Sequence, residues 1–454
     1  MKRQIIFYLL VYTLAFIFSC KKEHSNNESK EPPRTVNDRT GQPGHLTQAN
    51  TYSGEVVTKW MHMQLELMKT ATGIPNVAFA RSYAYSGIAV YESVVPGMPA
   101  YQSLAGQLTA LASLTPTTPG YAYHWAASAN AALASINRAM FPNATAAVKA
   151  SVDSLELSLN AQYQTEVNSE TFDRSVSRGK DIAKQILNWA SSDNADHASD
   201  KYIPPTGPGL WVATAPAFAN ASTPYWGNLR LLVPGSVINT QLPAPVPYNE
   251  DPSSDFYKMA KHVYDVSQTL DSDQMNMAFY WRDVPGVTTP GHYVSILKQV
   301  LEKDQIKLDK AALSYALGGI AVYDAAVICW QAKYQYNLVR PITYIRTVLG
   351  HPLWNSFLGT PAHPEYPSAH AVLSETTADV LTYLFGDNYA FTDHTYDYLS
   401  MHPRSFSSFK AFAEDAGNSR LYAGIHYQPS IDAGLVQGKT VAQNVIKQLK
   451  FLKE

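Results

Sequence analysis

The chain has 454 residues, long enough to bury a large core in one domain or in two fused units. Its 35 Lys and Arg nearly balance its 37 Asp and Glu, and only 16% of residues are charged, which leaves neither a basic stripe for nucleic acid nor an acidic tail. Two cysteines exclude a disulfide framework.

The N-terminus reads as an export signal. Met1-Lys2-Arg3 is a short basic head, Ile5 to Phe18 is an apolar run too short to span a bilayer comfortably, and Ile17-Phe18-Ser19-Cys20 resembles a bacterial lipobox. Residues 1–19 are therefore expected to be a lipoprotein signal peptide, with Cys20 lipidated as the mature N-terminus. An ordinary secretory signal cleaved near Ser19 is the alternative. Residues 20–47 are polar and poor in apolar side chains, as in a disordered tether. The body, residues 48–454, is expected to hang from that anchor on the periplasmic face or the cell surface of the outer membrane, with no other contact to membrane.

From Gln48 the apolar period is helical. Val56, Trp60, Met63, Leu67 and Met68 recur mostly at three- and four-residue spacing, and similar patterns follow over 78–95, 121–140, 148–159 and 172–189. Alternating strand patterns are scarce, so the fold class is all-α. One internal echo stands out: Ser82 to Glu92 reads SYAYSGIAVYE, and Ser314 to Asp324 reads SYALGGIAVYD. We read this as an ancient duplication giving two packed helical bundles, the first at about 48–200 and the second at about 252–454. Residues 201–251, rich in Pro, Gly and aromatics, form an irregular connection that is either a cover over the site or a surface wrap. Trp281-Arg282-Asp283 and Gly291-His292 flank a Pro/Gly break. A helix from about Lys310 to Lys333 carries Cys329, an inert core thiol.

The chemistry gathers after that helix. Lys333 and Arg340 are seven residues apart, two helical turns, which predicts two cations on one helical face, with Pro341 closing it. Trp330, Tyr334, Tyr336, Leu338 and Val339 surround them, so these cations need an anionic partner. Pro361 to Ser368 is a proline-stiffened loop with His363, and Ser368 stands at the N-cap of a helix with Ala369 and His370 in its first turn. Hydroxyl, free amides and helix dipole there converge on one anion site. A later helix ends in Ser419-Arg420, followed by Gly424 and His426. Three cations, an N-cap hydroxyl and imidazoles suit a tetrahedral oxyanion.

Lys-x6-Arg-Pro, Pro-Ser-Ala-His and Ser-Arg-x5-His, in this order, resemble the signature of the superfamily of vanadium-dependent haloperoxidases and type 2 phosphatidic-acid-phosphatase-like acid phosphatases. The doubled unit is similar to the two four-helix bundles of haloperoxidases. The resemblance implies that Lys333, Arg340, Ser368, the Ala369 amide and Arg420 hold the oxygens of vanadate, with phosphate as the competing oxyanion. It further implies that His426 bonds the metal, that His370 is the acid–base group, and that Lys333 polarises the bound oxidant. The implied partners are hydrogen peroxide, a halide and small organic acceptors. His363 takes the position that similar bromo- and iodoperoxidases fill with histidine and chloroperoxidases with phenylalanine, and Trp330 resembles bacterial iodoperoxidases, so iodide or bromide is the expected halide. Two departures stand out. Ala369 replaces the usual glycine, and Ser430 stands where an aspartate usually orients the metal-binding histidine, leaving Asp432 as the nearest acid. Asp283 is the expected partner of Arg420.

Two rivals remain open from the sequence. In an acid phosphatase, His426 would be the nucleophile and His370 would protonate the leaving group. A non-catalytic ligand-binding surface lipoprotein would explain the anchor and the aromatics but not the spaced cations.

Overall fold

The structure is a computed structural model that describes residues 47–283 and 287–453. The signal peptide, Cys20 and all of the tether except Thr47 lie outside the described residues. The described chain is mainly helical. The helices are α1 (Glu55–Thr70), α2 (Phe79–Val94), α3 (Trp125–Met140), α4 (Ala146–Tyr163), α5 (Ser169–Ala190), α6 (Asp255–Ser267), α7 (Ser272–Tyr280), α8 (Thr289–Lys303), α9 (Leu308–Tyr336), α10 (Pro341–Thr347), α11 (Ala369–Phe385), α12 (Phe409–Tyr422) and α13 (Gln428–Gln448). Between α11 and α12, β1 (Phe391–Asp393) and β2 (Arg404–Phe406) pair antiparallel, with Phe391 opposite Phe406. The all-α expectation holds.

The central element is α9. Its 29 residues are long and apolar enough to cross a membrane by length and composition, yet 94% of its most apolar window is buried inside the protein. A helix apolar on every side is one packed on every side. It mates with α2, the other copy of the echoed sequence. The contact is reciprocal: a Cβ on Gly87 would lie 2.4 Å from the Tyr315 carbonyl oxygen, and one on Gly319 would lie 2.7 Å from the Tyr83 carbonyl oxygen. Each copy's glycine thus seats the other copy's backbone, and the Tyr83 and Tyr315 rings meet at 5.5 Å. Around this axis α3 and α5 pack on α2 as α11 and α13 pack on α9.

The acids that end the two echoes do the same job. Glu92 accepts from the Leu104 amide at 2.6 Å and the Ser103 hydroxyl at 2.8 Å. Asp324 accepts from the amides of Leu232 and Val233 at 2.7 and 2.9 Å. Buried carboxylates that bind backbone donors tie loops to the core, and here they tie corresponding loops that also meet each other, Thr109 N–H bonding the Leu232 carbonyl at 2.8 Å. The abundant tyrosine goes mostly inside, where Tyr85 reaches the buried Asp193 at 2.7 Å.

The connection lies against the C-terminal end of α9. Trp211 N–H bonds the Asn337 carbonyl at 2.7 Å, Trp330 Nε1 bonds Thr223 Oγ1 at 3.1 Å, and Ser222 N–H bonds the Ala362 carbonyl at 2.7 Å. It forms a wall beside the proline-stiffened loop, with Trp211 and Trp226 buried beneath it.

Candidate active site

The end of α9 departs from the sequence expectation. The helix stops at Tyr336, where Asn337 turns left-handed at φ 49° and bonds back to the Lys333 carbonyl at 2.9 Å. Arg340 is extended (φ −76°, ψ 150°), as a residue before proline must be, and is the N-cap of α10. Lys333 and Arg340 therefore do not share a helical face. A reversal of the chain brings both, fully buried, against the loop 361–368.

Both cations are engaged with that loop. Lys333 Nζ donates to the carbonyls of Pro364, Glu365 and Pro367 at 3.0, 3.0 and 2.5 Å. Arg340 donates to the His363 carbonyl at 2.9 Å, the Ile425 carbonyl at 2.9 Å, His363 Nδ1 at 3.0 Å and His426 Nε2 at 3.2 Å. Burial, with the repulsion of Arg340 added, lowers the Lys333 ammonium, and burial likewise lowers Arg340.

Glu365 is the residue that sequence reasoning missed. Fully buried, it accepts from His426 Nδ1 at 2.7 Å, Tyr427 N–H at 3.0 Å and Ser430 Oγ at 2.5 Å. Burial pushes its carboxyl up, against the opposing pull of Ser430, Arg340 and Lys333. This carboxylate fixes the tautomer of His426: Nδ1 carries the proton, and Nε2 presents a lone pair toward Arg340. Asp432, the acid nearest in sequence, is exposed and bonds Gln428 instead, because one turn into α13 it points to solvent. Ser430 belongs to the same cluster, as a donor to Glu365. The signal was available in the sequence: buried cations call for a buried anion, and Glu365 lies in the loop they hold.

Ser368 is the N-cap of α11 but makes no capping bond, and its fully buried Oγ has no hydrogen-bond partner. Arg420, in the last turn of α12, is 2% exposed; one nitrogen donates to the Trp281 carbonyl while its Nε has no partner. His370 Nε2 bonds the Trp281 carbonyl and Thr289 Oγ1, each at 2.9 Å. Asp283 does not pair directly with Arg420. It takes the Thr289 hydroxyl at 2.7 Å and lies 3.8 Å from His370. Burial alone would raise the Asp283 carboxyl, but His370, Thr289 and Arg420 together hold it down. Burial and Arg420 depress His370, and burial with Lys333 and Arg340 depresses His363, so both imidazoles are neutral.

A cavity of about 560 Å³ opens onto His363, Ala369, His370, Arg420, His426 and Trp330. Asn76, ahead of α2, and Ser222 of the connection also line it, as does Arg282. Trp330 stacks obliquely on His363 at 5.2 Å. A larger cavity, about 850 Å³ beside β1 and α8, meets none of these cations or imidazoles.

The donor set fits a bound oxyanion. Lys333, Arg340 and Arg420 are buried, the first two beside the Glu365 carboxylate, and two buried polar atoms, Ser368 Oγ and Arg420 Nε, lack partners. Beside them His426 Nε2 offers the lone pair a metal would take.

A family model described as the VCPO second helical-bundle domain matches residues 313–454. No curated protein matches the sequence. Among solved structures, one described as the first bacterial vanadium-dependent iodoperoxidase aligns with TM-score 0.81 and 31% identity, over 89% of this chain and 98% of that one. The holo and apo forms of a bacterial vanadium-dependent chloroperoxidase share the fold at TM-scores of 0.63 and 0.62, each at 14% identity, over 84% and 83% of this chain and 94% and 95% of those. With its doubled helical core and its buried oxyanion cradle, the chain belongs to the vanadium-dependent haloperoxidase family.

Proposed function

We propose that the protein oxidises a halide, iodide or bromide, with hydrogen peroxide at a vanadate held in this cavity. The observation that carries the reading is His426, oriented by Glu365 so that Nε2 faces a cradle of buried donors. Vanadate, when bound, supplies Lewis acidity that activates the oxidant without itself changing oxidation state. Ser368 Oγ, the Ala369 amide, Arg340, Lys333 and Arg420 would hold its oxygens, and His426 Nε2 would bond the metal. Lys333 and Arg340 would then exchange some of their carbonyl partners for the anion, regaining the charge balance that burial denies them.

The proton handling belongs to His370. Thr289 Oγ1 gives its hydrogen to Asp283, so it accepts from His370 Nε2, as does the Trp281 carbonyl. Nε2 therefore keeps its proton, and Nδ1, which bonds no described residue, is the nitrogen free to accept or return one. His363 is pinned by Arg340 on Nδ1 and lines the cavity beside Trp330. Its position, and the likeness to an iodoperoxidase, support iodide or bromide. We propose as well that the enzyme is an exported bacterial lipoprotein anchored through Cys20.

The test is vanadate loading followed by assays with peroxide and iodide, bromide or chloride. Vanadate-dependent iodide or bromide oxidation, inhibited by phosphate and lost in His426→Ala, is expected. Phosphate-ester hydrolysis with no halide oxidation after loading would replace this reading with the phosphatase one.

A further inference from the structure

Behind Trp281 lies a buried histidine–aspartate pair that the chemistry above does not use. His292, on α8, is 2% exposed, and its Nε2 is 2.6 Å from Asp393 Oδ2, a carboxylate with no exposure at all. The other Asp393 oxygen accepts from Gln299 Nε2 at 3.0 Å, the Thr395 amide at 3.0 Å and the Thr395 hydroxyl at 2.6 Å. Burial would raise this carboxyl, but His292 first, then these donors, hold it down at about 2, so it is a carboxylate and its bond to His292 takes a ring N–H.

The second ring nitrogen also faces an acceptor. His292 Nδ1 is 3.4 Å from the Tyr396 hydroxyl oxygen, and that hydroxyl donates its own hydrogen to the Val287 carbonyl at 3.1 Å. Tyr396 keeps that hydrogen, since burial raises it well above its ordinary range. His292 is thus gripped at Nε2 by the Asp393 carboxylate and flanked at Nδ1 by the Tyr396 hydroxyl. Tyr280 completes the titratable surroundings, its ring 5.7 Å away and its hydroxyl on the Asp393 carbonyl at 2.8 Å.

The ring lies against Trp281, centroids 4.4 Å apart and planes 22° apart. Two flat rings packed nearly face to face, away from water, fix each other's orientation. The indole N–H is held by Asp415, which Arg404 holds in turn at 2.5 Å. The backbone carbonyl of this doubly gripped tryptophan is the group that takes both His370 Nε2 and Arg420.

We propose that His292, held by Asp393, acts as a positioning residue, stacking on Trp281 so that the Trp281 carbonyl stays aimed at His370 and Arg420. Its catalytic consequence rests on the haloperoxidase reading, but its hold on Trp281 does not. The same helix, α8, supplies Thr289 one turn earlier, so one rigid element sets both acceptors of His370 Nε2.

The test is nitrogen NMR of the full chain labelled with ¹⁵N-histidine, alongside His292→Phe and Asp393→Asn. His370 Nε2 is expected to read as protonated in the wild type, and the His370 nitrogen signals to shift in both variants as the Trp281 carbonyl loses its aim. In the vanadate-loaded variants kcat is expected to fall by about 10- to 100-fold, the range for residues that orient a reacting group, with halide KM little changed. His370 signals unmoved in folded His292→Phe overturn the proposal whether or not the protein oxidises halide. Folded variants with kcat within about twofold of wild type overturn the positioning role. Failure of the wild type to oxidise any halide counts instead against the proposed function.

Discussion

The Glu365 carboxylate and His426 Nδ1 meet at 2.7 Å, out of contact with solvent, and this one bond decides which imidazole nitrogen faces the cavity. Glu365→Gln leaves an acceptor but removes the charge and one of the lone-pair sites that Tyr427 and Ser430 share. Vanadate affinity should fall by about 10- to 100-fold, read from the concentration that restores activity to stripped enzyme. Asp432→Ala, at the exposed position, should match wild type. The reverse ranking would return the orienting role to Asp432.

The depressed imidazoles make stability depend on pH in a stated direction. His363 is held below its ordinary value of 6.5 by burial, Lys333 and Arg340, and His370 and His426 are lowered too. Below pH 6.5 the unfolded chain takes up protons that the native site refuses, so stability is complete above that pH and falls as the pH drops. Each such group contributes at most about 1.4 kcal/mol per pH unit. The raised carboxyls of Glu365 and Asp324 act in the opposite sense in wild type and variant alike, so the difference isolates the histidine: between pH 8 and pH 5, thermal unfolding of anion-free protein should show His363→Phe losing less stability than wild type. An unchanged slope would mean that His363 is protonated in the native state.

The two reciprocal glycines should be equally intolerant of a side chain. Gly87→Ala and Gly319→Ala each push a Cβ into the other helix's backbone, which cannot yield like a flexible side chain. Each should cost about 1–3 kcal/mol in urea unfolding. The double variant should cost less than the sum, because one separation of α2 from α9 relieves both clashes. Additive effects would argue against a shared seam.

Cys20 gives a prediction independent of the chemistry. In cells expressing the full chain, Cys20→Ser should move the protein from the membrane fraction to the soluble one, with halide oxidation per molecule unchanged. Wild-type protein found only in the soluble fraction would favour an ordinary secretory signal.

Much of this was legible in the sequence, for physical reasons. The helices announce themselves by period, and the echo of Ser82–Glu92 in Ser314–Asp324 marks the two helices that mate. The cations, Ser368 and the imidazoles are recognisable because such groups are rarely buried without an anion to answer them. What stayed hidden depended on chain reversal. Nothing local distinguishes Asn337 as the residue that turns left-handed and breaks the face shared by Lys333 and Arg340. Asp432 looked closer to His426 than Glu365 because separation along the chain is a poor guide once a loop folds back. Asp283 was matched to the correct region but to the wrong first partner, since Thr289 intervenes.

The seam between α2 and α9 has a consequence for the chemistry as well as the fold. Gly319, at the seam, and Lys333, at the site, are fourteen residues apart on one continuous helix, about 21 Å of rigid rod. A slip of α2 along that rod would travel undamped to the ammonium and to Trp330 beside it. The N-terminal half, which contributes no cation to the cradle, is in mechanical terms the bench to which the working half is bolted.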